Sequence, residues 1–383
     1  MKRIITSVTL ILLFSVSATA QVQVLEAWWI DEGETDSTGL GMSIAALGDV
    51  NSDGYDDFIV GTDNDEAFLY YGSSTPDTVP DLVFHKPDTT CMNFGDCVLN
   101  IGDVNGDSGD DFIIHAYHYY VLEQCRAYLY FGGEMLDTIP DLVIDGEING
   151  LCVSYFATGG AGIGDFNGDG GNDFLLMDHD FWIDYSQEIG GKIYVYFGGE
   201  ILDSLPDWQI QAGDEFLRIG WAVTSLGDLN EDGYEDFSIA DPFCDGPDGQ
   251  ESMGYFALYH GGSDPDTLAH TIIWGPEEGA GLGLDVEGID FNNDGIKDIV
   301  VGSSQDFPPN HETCVQIFLS PLNSSSQPAY IFLDPSPINH SIGRCLVGID
   351  LNGDGWQDFI TGSPFNLLQA GSIFAFLGGE DPD

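Results

Sequence analysis

A nine-residue acidic stretch occurs six times in this chain, and nothing else in the sequence constrains the fold as tightly. DVNSDGYDD at 49–57 is followed by DVNGDSGDD at 103–111, DFNGDGGND at 165–173, DLNEDGYED at 228–236, DFNNDGIKD at 290–298 and DLNGDGWQD at 350–358. Successive copies start 54 to 63 residues apart, so the chain is an array of similar units. The surroundings recur too. A short run such as IAALG at 44–48 or AVTSLG at 222–227 leads into each loop, and an apolar run such as FIVG at 58–61 or FSIA at 237–240 leaves it. A third, alternating aromatic run follows, as in AFLYYG at 67–72 and KIYVYFGG at 192–199. A fourth comes after a Pro/Asp turn, as in PDLVFHK and PDWQIQAG. Short runs rich in Val, Ile, Phe and Tyr, bounded by Gly, Pro and Asp, are strands, and no twelve-residue segment carries a helical period.

Four short strands per repeat of about 60 residues describe a propeller blade. A linear β-solenoid has shorter units and needs atypical caps, and no capping repeat is visible. The last repeat stops at FLGGEDPD, after its third strand, while VLEAWWI at 24–30 stands alone ahead of the first repeat. The expected fold is therefore an all-β propeller of six four-stranded blades. Residues 24–30 would complete the last blade and close the ring, removing its exposed edges. A seven-bladed or an incomplete ring is the alternative.

Residues 1–20 read as a signal peptide: Lys2 and Arg3, an apolar run from Ile4 to Phe14, then Ala18-Thr19-Ala20 as a small-residue cleavage site. Residues 21–383 form the propeller. The expectation is an exported protein, secreted or at the cell surface, with a periplasmic location also open. No later stretch is long and apolar enough to span a membrane. Eight Lys plus Arg stand against 65 Asp plus Glu, a formal net charge of −57, which leaves nothing to neutralise phosphates and excludes nucleic acid as a partner. Disorder is excluded because 43% of residues are hydrophobic and 12% aromatic. Seven Cys in an exported chain permit disulfides, with Cys91–Cys97 a plausible local pair and the odd total leaving one over.

The repeated loop has the donor pattern of a calcium site. Side chains at positions 1, 3, 5 and 9 are Asp49, Asn51, Asp53 and Asp57 in the first copy, and position 7, Tyr55, offers its carbonyl. Gly54 at position 6 suits a sharp turn. Hard oxygen donors at alternate positions around such a turn are calcium chemistry, as in a shortened EF-hand loop between strands. The other sets are Asp103, Asn105, Asp107, Gly109 and Asp111; Asp165, Asn167, Asp169, Gly171 and Asp173; Asp228, Asn230, Asp232, Tyr234 and Asp236. Asp290, Asn292, Asp294, Ile296 and Asp298, then Asp350, Asn352, Asp354, Trp356 and Asp358, complete the six. Up to six structural Ca²⁺ are expected. The second loop, with Ser108 at the turn, is expected to be the weakest or most distorted. The bland reading is an Asx-rich turn capping its own backbone, but three carboxylates held together repel without a cation. Position 8 varies freely (Asp56, Asp110, Asn172, Glu235, Lys297, Gln357) and reads as a bystander facing solvent.

The pattern resembles the FG-GAP repeats of integrin α-subunit β-propellers and related exported microbial proteins. It does so in Leu40-Gly41, Phe94-Gly95, Ile219-Gly220 and Ile342-Gly343 before the loops, in DxNxDGxxD itself, and in Ala240-Asp241-Pro242 and Gly362-Ser363-Pro364 after them. The resemblance implies that each loop joins the first two strands of a blade, that its Ca²⁺ is mostly structural, and that the propeller pairs with another subunit or domain.

For function, the expectation is a non-catalytic, calcium-binding protein-binding or adhesion scaffold, with an unknown extracellular or cell-surface protein or glycan as partner. The alternatives are an extracellular hydrolase or lyase and a purely structural surface component. No HExxH frame, GxSxG elbow or phosphate loop is present. The longest inserts, 115–124, 178–190, 241–252 and 304–313, are candidate contact surfaces, led by the second with Phe181, Trp182 and Tyr185. Asn323 and Asn339 stand in glycosylation sequons.

Overall fold

The computed structural model describes residues 39–383 except 63, 76–77, 88–91, 117–124, 134–135, 147–155, 179–181, 185–186, 189–190, 200–201, 212–218, 266, 304–312, 334–341, 364–371 and 380–383. Ahead of these it describes Thr9–Leu13 and Val22–Glu26. The chain is all-β, and its described residues form six blade-like antiparallel sheets with the strands in simple chain order.

Blade 1 contains Ile44–Gly48, Asp57–Gly61, Glu66–Tyr70 and Leu82–His85. Blade 2 contains Val98–Gly102, Asp111–Ala116, Arg126–Tyr130 and Leu142–Asp145. Blade 3 contains Phe156–Gly164, Asp173–Asp178, Lys192–Tyr196 and Trp208–Gln211. Its second and third strands are separated by a small hairpin, Trp182–Asp184 with Gln187–Glu188. Blade 4 contains Ala222–Gly227, Asp236–Asp241, Tyr255–Tyr259 and Thr271–Trp274. Blade 5 contains Leu282–Ile289, Asp298–Ser303, Cys314–Phe318 and Tyr330–Leu333. Blade 6 has three strands, Leu346–Ile349, Asp358–Ser363 and Ser372–Phe376.

The core lies between the blades. In blades 2 to 5 the whole second strand is buried, because a middle strand is covered on both faces by neighbouring sheets. Each hydrophobic cluster joins two successive blades. Leu69 and Phe84 of blade 1 meet Phe112 and Tyr130 of blade 2, and the joint is repeated through to Phe291 and Val315 of blade 5 against Phe359 of blade 6. Aromatic rings recur at the joints: Phe112–Tyr130, Phe174–Tyr196, Phe237–Tyr259 and Phe359–Phe376 stack at centroid distances of 5.4, 4.9, 5.2 and 4.8 Å. First strands of successive blades pack on each other from blade 1 to blade 6. That is the stacking of a propeller around an axis.

Of the segment expected to complete the last blade, the described residues 24–26 are not in the sixth sheet. Val22–Glu26 instead pairs antiparallel with Thr9–Leu13, with Leu25 opposite Leu10, and residues 27–30 lie outside the described residues. Cys97 carries a free thiol, and Cys91 lies outside the described residues.

Candidate metal loops and the insert face

Each acidic loop joins the first and second strands of its blade. The backbone takes a left-handed turn at two alternate positions in all six copies. Position 4 has φ of 59°, 80°, 78°, 60°, 55° and 74° at Ser52, Gly106, Gly168, Glu231, Asn293 and Gly353. Position 6 has φ from 88° to 95° at its five glycines. The alternation winds the chain so that the side chains at 1, 3 and 5 point back into their own turn. Asp49 accepts hydrogen bonds from Asp53 N–H at 2.9 Å and Gly54 N–H at 2.8 Å, Asn51 Oδ1 from Asp53 N–H at 2.9 Å, and Asp53 from Tyr55 N–H at 3.0 Å. The fourth, fifth and sixth loops repeat this set, with Asp228 accepting from Gly233 N–H at 2.7 Å, Asp290 from Gly295 N–H at 2.8 Å and Asp350 from Gly355 N–H at 3.0 Å.

Position 9 is different in kind. Asp57, Asp111, Asp173, Asp236, Asp298 and Asp358 are at most 1% exposed. Each clamps two backbones. Asp57 accepts from Val50 N–H in its own loop at 2.9 Å and from Gly72 N–H, after the third strand, at 2.7 Å. Burial raises the carboxyl to about 6 at Asp57 and Asp298 and to about 7 at Asp111 and Asp173. The backbone donors pull the other way, and the position-5 carboxylate adds repulsion in all four.

The second loop keeps the hydrogen-bond pattern of the first, fourth, fifth and sixth, and its departure lies in the turn residue. Asp103 accepts from Asp107 and Ser108 N–H at 3.0 and 2.8 Å, and Asp111 from Val104 and Gly132 N–H at 2.9 and 2.8 Å. Ser108 adopts φ 76°, where a Cβ is strained by about 1–2 kcal/mol. Ser108→Gly is therefore expected to raise the stability of this blade by about 1 kcal/mol, read as a higher urea midpoint. An unchanged midpoint would mean that the turn holds no strain.

Among the described residues no three His, Cys, Asp or Glu side chains converge on one point. The loops stand in the Asx-capped form, their oxygens turned onto their own backbone. The donor set nonetheless fits a hard cation. In the first, fourth and fifth loops each position-1 oxygen accepts a single hydrogen bond and keeps a second lone pair, while Asp103 Oδ1 and Asp350 Oδ1 each accept two. Asp165 Oδ1, at position 1 of the third loop, is buried and has no hydrogen-bond partner. Positions 3 and 5 already touch in three loops, through Asn105, Asn167 and Asn352 Nδ2 on Asp107, Asp169 and Asp354 at 3.2, 3.0 and 2.9 Å.

Position 8 does not face solvent in most copies, which corrects the bystander reading. Asp110 lies against Gly48 of blade 1 so closely that a Cβ there would stand 2.7 Å from Oδ2. Asn172 covers Gly102 and Glu235 covers Gly164 in the same way. Lys297 Nζ donates to the Ser225 carbonyl at 3.3 Å, and Gln357 Oε1 accepts from Asp290 N–H at 3.0 Å. Each reaches the blade behind its own. Asp56, in blade 1, is exposed.

The inserts leave the blades at the opposite end. In an antiparallel meander the loops from second to third strand lie across the blade from those between first and second. Insert 115–124 starts at the end of Asp111–Ala116, 178–190 at Asp173–Asp178, 241–252 at Asp236–Asp241 and 304–313 after Asp298–Ser303. Much of three inserts, including Phe181 and Tyr185, lies outside the described residues. The described one, 241–252, is a packed loop. Asp241 accepts from Phe243 N–H at 2.7 Å, and Asp245 from Ser252 N–H at 2.8 Å. Phe243 stands edge-on to Trp221 at 4.9 Å, and Trp221, 39% exposed, donates Nε1 to the Leu284 carbonyl at 3.1 Å. Sequence reading missed Trp221; its signal was an aromatic directly after Ile219-Gly220.

Two further acids break the repeat. Asp285 and Glu287 sit on the first strand of blade 5, where the other blades carry small, apolar or amide side chains. Asp285 accepts from Val286 and Leu346 N–H at 2.9 and 2.7 Å, and Glu287 from Gly348 N–H at 3.4 Å. Burial raises Asp285 to about 7 and Glu287 in the same direction. Both are engaged with the backbone of blade 6, so the pair joins blades rather than lining a cleft.

No protein-family model matches the chain. Curated relatives do. Integrin alpha-7 of Rattus norvegicus is 31% identical over 217 residues, 55% of this chain and 17% of its own length. Integrin alpha-8 of Gallus gallus is 28% identical over 230 residues, 57% of this chain and 20% of its own length. Phosphatidylinositol-glycan-specific phospholipase D of Bos taurus is 30% identical over 179 residues, 43% of this chain and 21% of its own length. The matched stretch thus spans about a fifth of each relative. These matches support an integrin-α-propeller-like relationship, the one that the repeated motif implies.

Proposed function

We propose that this chain is an exported, calcium-stabilised propeller that binds an extracellular protein or glycan through its insert face, without catalysis. The observation that carries this reading is the division of labour between the two ends of the blades. One end is built from six matching loops whose oxygens suit a structural ion. The other collects the segments that do not repeat, with Trp221 and Phe243 among them. The likeness to integrin α chains favours a binding role. The likeness to a phospholipase D covers less than half of this chain, and Asp285 and Glu287, the acids that break the repeat among the described first strands, are committed to a blade joint.

The test is binding of the calcium-loaded chain to an array of extracellular matrix proteins and glycans. Trp221→Ala and Trp182→Ala are expected to weaken any bound ligand at least tenfold, while Tyr55→Ala, on the opposite end, leaves it unchanged. Equal losses from all three, or turnover of a phosphodiester or glycoside by the purified chain, would overturn the reading.

A further inference from the structure

A cavity of about 280 Å³ lies in the joint between blades 4 and 5, and the other joints show what is missing from it. The third residue of each third strand faces the blade behind. It is Tyr128 in blade 2 and Tyr194 in blade 3, 1% and 2% exposed, each packed in the cluster that joins its blade to the one before. In blade 6 it is Phe374, packed at the joint with blade 5. Blade 5 carries Gln316 at this place. Gln lacks the volume of an aromatic ring, and in an interior packed like an organic crystal the shortfall stays open as space. Blade 4 lacks the ring as well, with Ala257, but there Ile272 and Trp274 of the fourth strand pack into the joint. Their counterparts in blade 5, Ile331 and Leu333, pair with Gln316 and Cys314 and remain 55% and 56% exposed.

The lining states the chemistry that fits. Ile273, Trp274 and Pro276 of blade 4 face Phe318, Ile331 and Leu333 of blade 5 across it. No Asp, Glu, Lys, Arg or His lines it, in a chain that carries 65 acids. An ion entering this space would lose its hydration with no charge to receive it, so the occupant is neutral. One buried polar group stands in the wall. Gln316 is 6% exposed, and its Nε2 donates to Ser303 Oγ at 2.9 Å, which orients the amide and leaves Oε1 as an acceptor. The size suits a single ring with a substituent, since an apolar cavity of about 150 Å³ already holds benzene.

We propose that this cavity is a binding site for a small neutral aromatic molecule carrying one hydrogen-bond donor, a phenol by class. Its ring takes the volume that Tyr128 and Tyr194 occupy in their own joints, and its hydroxyl donates to Gln316 Oε1. First strands pack on one another around the axis, so a site between third and fourth strands lies on the outer wall of the blades. It is therefore separate from both the acidic loops and the inserts.

The test is titration of the full chain, in calcium-containing buffer, with 4-methylphenol, which is the tyrosine side chain as a free molecule. Calorimetry or ligand-observed NMR is expected to show saturable binding at one site. Toluene, which keeps the ring and lacks the hydroxyl, is expected to bind about fivefold more weakly, the worth of one hydrogen bond. Gln316→Tyr supplies the missing ring, so it is expected to abolish binding and to raise the thermal midpoint. Should that variant fail to fold, Ile331→Glu gives a second reading from the exposed rim. Its charge is expected to weaken binding about tenfold by adding a group that the ligand must desolvate. Val143→Glu, at the same place on blade 2 where Tyr128 already fills the joint, is expected to leave binding unchanged. No saturable binding, toluene as tight as 4-methylphenol, full binding by Gln316→Tyr, or equal losses from Ile331→Glu and Val143→Glu would each overturn the inference.

Discussion

Removing divalent cations is expected to lower the thermal midpoint of this chain by more than about 10 °C, the largest effect of any single perturbation. An ion that binds only the folded state at a hundred times its Kd adds about 2.7 kcal/mol. Even three such ions amount to about 8 kcal/mol, and each kcal/mol is worth about 2–4 °C in a chain of a few hundred residues or somewhat less in a longer one. The physical source is the crowding of carboxylates. Positions 1, 5 and 9 of each loop repel one another, and burial has already raised position 9 to about 6 or 7 in four blades. A dication cancels that cost, while the backbone N–H clamps stay in place. Scanning calorimetry with excess EGTA, then with added Ca²⁺ or Mg²⁺, is the measurement. Calcium should restore the midpoint; magnesium, which demands tighter octahedral geometry, should not. A melting curve unmoved by chelator would remove the metal from the account and leave the Asx-capped turns to stand alone.

The joint between blades 5 and 6 is expected to weaken as pH rises. Asp285 has a folded-state value of about 7 against about 4 in the unfolded chain. Because the folded value is the higher one, the stability this group contributes is fully present below about pH 4 and is lost as pH rises through about 7. The span allows a loss of about 3–4 kcal/mol, taken as an order of magnitude. Around it, Glu287 adds repulsion in the same direction as burial, the Leu346 and Val286 N–H groups pull the other way without offsetting burial, Cys345 feels its charge, and Lys297 lowers Glu287. Asp285→Asn cannot ionise, although it gives up one of the two acceptors used by Val286 and Leu346 N–H. In saturating calcium, the variant should be less stable than the parent at pH 5 and should close that gap by pH 8. Hydrogen exchange at Leu346 and Gly348 localises the effect. Parallel curves for the two proteins across this range would show that Asp285 does not report on the joint.

Most of the architecture was legible because it is written six times. One DxNxDGxxD stretch is an acidic turn; six in register, each followed by the same three strand-like runs, specify a blade. The short apolar run after each loop placed every second strand correctly, from Phe58 to Phe359. Position 9 was legible as a donor but not as a clamp, since its partner, such as Gly72 or Gly132, lies some 15 to 21 residues downstream. Position 8 misled for a physical reason. Variation was taken as exposure, but its partners are largely main-chain atoms of the blade behind, such as the Ser225 carbonyl and Asp290 N–H. A backbone partner tolerates many side chains, so contact leaves no fixed residue type. Asp285 and Glu287 were invisible among 65 acids; only their packing against Leu346 and Gly348 sets them apart.

The reach of position 8 bears on how such a chain grows. A repeat cut anywhere at equivalent points carries its own loop, its own strands and its own hook, and the eye for that hook is a stretch of main chain that every repeat possesses. Duplicating or deleting one unit therefore joins a hook to a matching eye. The hook thus adds no matching requirement of its own, and the side-chain packing at each joint is what a new neighbour must fit.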